Sequence, residues 1–272
     1  MSTPMSTPMS TPAARHEGRL LWASRPSLYA LLRAGRLLGP VARLPRLGWV
    51  VTDAVTARKV LNDHAHFSLL GEGGVGHLWA QVLGAWVERL FDGPGHADLR
   101  ARARDLFTED GAAALVARVF RPEVASLTAA LAAGGTVDLA ERSRVLVGRM
   151  VVDLLGLRVD GGDGTYRSVF AAGERLAALA LGTTASTVVA PRLVAEARAI
   201  VADLTRPYVP ETRQLWFGAG RHLCLGAPVA RAELANLVGA LRELGRPWRV
   251  VDRRPARRVL IPSYASLRIA LT

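Results

Sequence analysis

The chain has 272 residues, of which 50% are hydrophobic and 6% aromatic, and its formal net charge is +12. This length suffices for one large domain with a full core, and the single cysteine excludes an internal disulfide or a multi-cysteine zinc site. Nearly all the cations are arginine, spread along the chain, which indicates a compositional bias; we therefore expect no nucleic-acid partner.

The N-terminal segment repeats Met-Ser-Thr-Pro three times and contains no apolar core. We predict a disordered tail over residues 1–18 and a single domain over residues 19–272. Arginines interrupt the apolar stretch of residues 20–47 too often for a membrane-spanning helix. These features predict a cytoplasmic protein without a membrane partner.

The apolar periodicity predicts a mainly α fold with small β-sheets. Residues 47–53 favour a strand, followed by a helix through Leu61 that Asp53 caps. Further helices are predicted over residues 99–107, 112–133 with a break near Pro122, 139–155, 166–181 and 191–204. Residues 266–272 alternate in polarity, as in a strand.

A last helix is predicted directly after the only cysteine, Cys224, with Pro228 in its first turn. Its predicted apolar face comprises Leu234, Leu237, Val238, Leu241 and Leu244. The other side is predicted to carry Arg231, Glu233, Arg242 and Glu243.

Cys224 precedes this helix N-terminus, where unpaired N–H groups and the helix dipole lower the pKa of a thiol. Gly218, Gly220 and Gly226 allow the backbone to approach a flat partner closely. A thiolate in such a loop suits an axial ligand of haem iron. On local physics alone, a buried, inert cysteine in a glycine-rich turn is the alternative.

The segment FGAGRHLCLGAPVAR, residues 217–231, resembles the cysteine-ligand motif of the cytochrome P450 haem-thiolate monooxygenases. The resemblance implies haem b as cofactor and Cys224 as its iron ligand. It also implies that Phe217 packs near the sulfur and that His222, or else Arg221, contacts a haem propionate. The three glycines fill further positions of the motif.

Upstream, residues 90–108 resemble the helix of this family that carries His-x-x-x-Arg. By resemblance, His96 and Arg100 lie one helical turn apart and both face a haem propionate. Residues 137–157 are similar to the following helix of bacterial members, and residues 246–272 to their terminal strands.

Two elements of the family are absent between the middle helices and the cysteine loop: the distal oxygen-side helix with its acid-alcohol pair, and the Glu-x-x-Arg helix. Thr183 and Thr184 are candidate donors to bound dioxygen, although they suit a helix stop and start equally well. Glu141 and Arg144 match Glu-x-x-Arg by letters but lie too early in the chain, and are interpreted as a solvated helix face.

The resemblance implies a monooxygenase acting on a hydrophobic small molecule, with pocket residues from the loop after Phe67 and from residues 166–187. A ferredoxin-type electron donor would dock on a basic face, for which the candidates are Arg213, Arg221, Arg231 and Arg242. Two alternatives remain: a haem-binding protein that does not activate oxygen, and a truncated remnant or partner subunit whose distal side another chain covers.

Overall fold

The computed structural model describes residues 12–44, 48–63, 65–72, 74, 76–84, 87, 95–104, 108–154, 156–182, 189–205, 227–257 and 263–272. This part of the chain is mainly helical and carries two small antiparallel sheets, which confirms the predicted class. Among these residues, no helix is long and apolar enough to cross a membrane.

The N-terminal elements are two helices, a β-hairpin and a third helix: α1 Pro12–Ser24, α2 Pro26–Leu38, β1 Val41–Leu44, β2 Gly48–Val51 and α3 Ala54–Asn62. The tail boundary expected at residue 18 falls inside α1. Asp53 caps α3, as predicted, because its carboxylate accepts a 2.7 Å hydrogen bond from the Thr56 amide.

The middle of the chain is a succession of helices: α4 Gly76–Leu83, α5 His96–Ala103, α6 Glu109–Ala132, α7 Leu139–Leu154, α8 Asp163–Gly182 and α9 Pro191–Thr205. The predicted break near Pro122 is wrong, since α6 is continuous through it. Proline removes one backbone hydrogen bond, but buried residues on both sides, Phe120 and Leu127 among them, hold the helix against its neighbours.

The C-terminal elements are α10 Ala227–Glu243 and the strands β4 Trp248–Pro255 and β5 Tyr264–Leu271. A short strand from the middle of the chain, β3 Val137–Asp138, joins these two strands in one sheet. The sheet order is β3-β5-β4, with both pairs antiparallel. In β5, Ile269 is fully buried while Arg268 is exposed, as the alternation predicts.

The predicted apolar face of α10 is correct in part. Leu237, Leu241 and Leu244 pack in a cluster with the C-terminal half of α6 and with Ile269. The prediction is wrong for Leu234 and Val238, which have 65% and 40% of their surfaces exposed. The elements described around α10 therefore bury a narrower stripe of its surface than the predicted apolar face.

The interpretation of Glu141 and Arg144 as a solvated helix face is also wrong. Arg144 has only 28% of its side chain exposed and donates 3.2 Å hydrogen bonds to the carbonyl oxygens of Tyr264 and Ala265. Glu141 pairs with Arg144 at 3.3 Å and with Arg167 on α8. These contacts connect α7 to the start of β5 and to the next helix.

Candidate functional site

The helix that carries the His-x-x-x-Arg pair is α5. His96 lies in its first turn with only 4% of its surface exposed, and Arg100 follows one turn later in the same helix. The helical spacing predicted for the two residues is therefore confirmed. The helix starts three residues before the predicted first residue, Leu99, with Gly95 at its N-cap position.

The helix that follows the cysteine loop is α10, which begins at Ala227, three residues beyond Cys224. Pro228 occupies its first turn, where a missing N–H costs nothing, so the predicted helix start is confirmed. The N-terminus of α10 carries the positive end of a helix dipole, which favours an anion in its vicinity.

Two contacts hold the N-terminal part of α10 on α6. Val229 is buried among residues of the N-terminal half of α6, including Val116 and Phe120. Arg231 forms an ion pair with Glu109 in the first turn of α6. Since Leu241 packs on the C-terminal half of α6, the two helices run parallel, with both N-termini at one end.

This parallel pair relates the two motif-bearing regions. The Glu109 end of α6 follows α5 after a five-residue connection, and the Arg231 end of α10 follows Cys224 by seven residues. The helix that carries His96 and the segment that carries Cys224 therefore both adjoin, in sequence, the same end of the α6–α10 pair.

Glu233 was predicted to lie away from the apolar face of α10 and is instead half-buried, which corrects that prediction. It lies one turn beyond Val229 and one turn before Leu237, so it interrupts the stripe that these buried and partly buried residues form. Desolvation raises the pKa of Glu233 to about 7. The spacing of four residues from Glu233 to Val229 and to Leu237 is the sequence signal that indicates its burial.

The arginines proposed for partner docking are not equivalent. Arg242 is exposed in the last turn of α10, whereas Arg231 is engaged with Glu109, which neutralises part of its charge. Arg213 and Arg221 lie outside the described residues.

The remaining predicted site residues also lie outside the described residues, and their roles stay predictions: Thr183, Thr184, Phe217, Gly218, Gly220, His222, Cys224 and Gly226.

The donor set of the chain is chemically compatible with haem. Within the described ranges, no group of three or more His, Cys, Asp or Glu side chains lies close enough to hold a metal ion. A haem needs no such group, because the porphyrin supplies four nitrogen ligands and the protein needs to add only one thiolate. His96 and Arg100, the residues expected to contact a propionate, lie one turn apart on α5.

Some of the residues expected to supply a pocket, within residues 166–187, are instead engaged in packing. Leu176 and Leu179 of α8 are buried in an apolar cluster with Leu78 of α4 and Val194 of α9. These three helices thus use part of their apolar surface on one another.

Comparison with known proteins identifies no relative of this chain. No family model, no curated protein and no solved structure matches the chain.

Proposed function

We propose that the chain is a haem-thiolate protein of the cytochrome P450 type, with Cys224 as the ligand of a haem b iron. The observation that carries the proposal is the motif of residues 217–231, in which every position of the family pattern is filled. The helix expected directly after it is α10, which starts at Ala227.

The residues that would hold the haem belong to two segments. In the first, Cys224 would bind the iron, Phe217 would pack near the sulfur, and His222 would contact a propionate. In the second, His96 and Arg100 of α5 would bind a propionate through their N–H groups. The connection of both segments to one end of the α6–α10 pair supports this division of roles.

The chain's own contribution at the cysteine is electrostatic. The N-terminus of α10 would favour the thiolate over the thiol by the positive end of its helix dipole. A thiolate bound to haem iron donates electron density that favours O–O cleavage. On this basis we propose a monooxygenase that takes a hydrophobic small molecule, molecular oxygen and electrons from a ferredoxin-type donor.

On the oxygen side, the hydroxyl group of Thr183 or Thr184 would donate a hydrogen bond to dioxygen. No acid directly precedes these threonines, unlike the acid-alcohol pair of the family, since Gly182 stands before Thr183. The burial of Leu176 and Leu179 against α4 and α9 reduces the apolar surface left for a substrate. Both observations favour a second candidate, a haem-binding protein that does not activate oxygen.

The first test is the absorption spectrum of the haem-supplemented protein, reduced and treated with carbon monoxide, compared with that of Cys224→Ala. We expect a strongly red-shifted Soret band in the parent protein and none in the variant. Haem uptake with an identical spectrum in both proteins would remove the ligand assignment. The absence of haem uptake would support a truncated remnant, or a subunit completed by another chain.

A second measurement tests the propionate contact on α5. His96→Gln and Arg100→Gln should each weaken haem affinity by roughly tenfold, because each loses a charge-assisted or neutral hydrogen bond. His66→Gln is the matched control, since His66 is exposed and pairs with Asp63. Equal haem affinity in all three variants would contradict the role of α5.

The third measurement separates the two candidate functions. Product formation from an apolar test substrate is assayed with and without an electron donor. Turnover that depends on the donor and is lost in Thr183→Ala/Thr184→Ala supports the monooxygenase. A thiolate spectrum without turnover supports the haem-binding protein.

A further inference from the structure

The first two helices form an open groove that the haem proposal does not use. α1 and α2 fold back on each other across the single residue Arg25, and a cavity of about 770 Å³ lies between them. This volume is within the range of small-molecule sites. Its walls carry Arg15, Arg19 and Trp22 from α1, and Tyr29, Arg33 and Arg36 from α2.

The groove has two chemically different ends. Near the turn, the rings of Trp22 and Tyr29 meet edge to face, with centroids 5.6 Å apart. Away from the turn, helical spacing places Arg19 and then Arg15 on one wall, and Arg33 and then Arg36 on the other. The groove therefore runs from an aromatic end to a cationic end.

The cationic end has an excess of positive charge. Among the described residues that line the groove, Glu17 is the only acidic one, against four arginines. Within the described part of the chain, none of these arginines forms a salt bridge with an acidic side chain. All four are exposed, so their guanidinium groups are accessible to an anionic ligand.

The aromatic end leaves part of the Trp22 side chain accessible. Trp22 has 54% of its surface exposed, and its ring is nearly perpendicular to that of Tyr29, with an interplanar angle of 79°. The Arg33 guanidinium lies 5.8 Å from the centre of the Tyr29 ring, at the boundary between the two ends. A planar ring bound here would stack on Trp22 with its substituent directed towards the arginines.

We propose that this groove binds a nucleoside triphosphate, with the base on Trp22 and the phosphates among Arg15, Arg19, Arg33 and Arg36. Trp22 and Arg15 are seven residues apart, which is about 10 Å along a helix axis and suits the distance from a base to its outer phosphates. Three to four negative charges on one ligand match the net charge of the lining. A fatty acid carries a single charge and leaves most of the arginines unmatched.

The test is calorimetric titration of the full chain with ATP, in parallel with adenosine and with inorganic tripolyphosphate. We expect ATP to bind more tightly than either fragment, because each fragment contacts only one end of the groove. Tripolyphosphate that binds as tightly as ATP would overturn the proposal, as would the absence of ATP binding.

Variants with matched controls locate the site. Trp22→Ala should weaken ATP binding by roughly tenfold and leave tripolyphosphate binding unchanged. Arg19→Gln/Arg33→Gln should weaken the binding of both by roughly tenfold or more.

The controls are Trp49→Ala, an exposed tryptophan outside the groove, and Arg253→Gln/Arg254→Gln on β4, which removes the same charge. Controls that weaken ATP binding as much as the groove variants would show attraction to the net charge of the chain alone, and would overturn the proposal. Circular dichroism of each variant verifies that it is folded. Because no step involves haem, the result is independent of the proposed haem site.

Discussion

Replacing Glu233 by glutamine should stabilise the protein at alkaline pH and leave its stability unchanged in acid. Glu233 lies one helical turn from both Val229 and Leu237, and desolvation raises the pKa of its carboxyl group from 4.5 to about 7. Above pH 7 the group is charged in both states, and the folded state bears the full cost of holding that charge away from water. Below pH 4.5 it is neutral in both states, and the cost is gone.

The difference between the two pKa values corresponds to about 3 kcal/mol of unfolding free energy. Between pH 4.5 and 7 the folded state binds the proton more tightly than the unfolded state, so this cost grows as the pH rises. At pH 8, Glu233→Gln should therefore raise the melting temperature by about 6 °C relative to the parent chain. The measurement is a series of thermal melts at pH 5, 6, 7 and 8.

Glu243→Gln is the matched control, because Glu243 is exposed at the end of the same helix. Its melting temperature should differ from that of the parent by the same small amount at every pH. A Glu233→Gln curve that runs parallel to the parent curve would refute the assignment of the desolvation cost to this carboxyl group.

Three further substitutions test contacts that connect distant parts of the chain or leave a group unpaired. Burial opposes ionisation of Asp138, but hydrogen bonds, including one of 3.0 Å from the Leu267 amide, hold its pKa below the usual 3.8. Asp138→Ala should lower the free energy of unfolding in urea by about 2 kcal/mol at neutral pH. This difference in stability from the parent chain should shrink as the pH falls below 3.8. Arg144→Met should cost about 2 kcal/mol, because two backbone carbonyls lose their donor, whereas the exposed Arg118→Met control should cost less than about 1 kcal/mol. Ser24→Ala should be neutral or stabilising by about 1 kcal/mol in the same assay, since the buried hydroxyl has no hydrogen-bond partner among the described residues.

Local periodicity was sufficient to predict most of the helices. The ends of α7 and α9 fall within one residue of the predicted positions, because glycine, proline and polar residues mark where their apolar patterns begin and end. The cap of α3 at Asp53 was likewise readable, since the capping contact spans only three residues.

Contacts between distant residues were not predictable from these patterns. Arg144 bonds to carbonyls 120 and 121 residues further along the chain, and nothing near it in sequence indicates that pairing. The charge of Glu233 predicts a position on the polar side of α10, whereas its spacing to Val229 places it on the buried side. The continuity of α6 through Pro122 also depends on packing, which outweighs one missing hydrogen bond.

The fold separates the proposed haem contacts from the contacts that hold the C-terminal elements. α10 is held on α6 by Val229 and Arg231, and β5 is held on α7 by the hydrogen bonds of Arg144. None of these side chains is proposed to touch haem, so Cys224→Ala should leave the melting temperature of the haem-free chain unchanged. Haem should raise the melting temperature of the parent by mass action, by an amount that grows with haem concentration. That increase should be smaller in Cys224→Ala, because the variant binds haem more weakly, and an equal increase in both proteins would place the haem away from the cysteine loop.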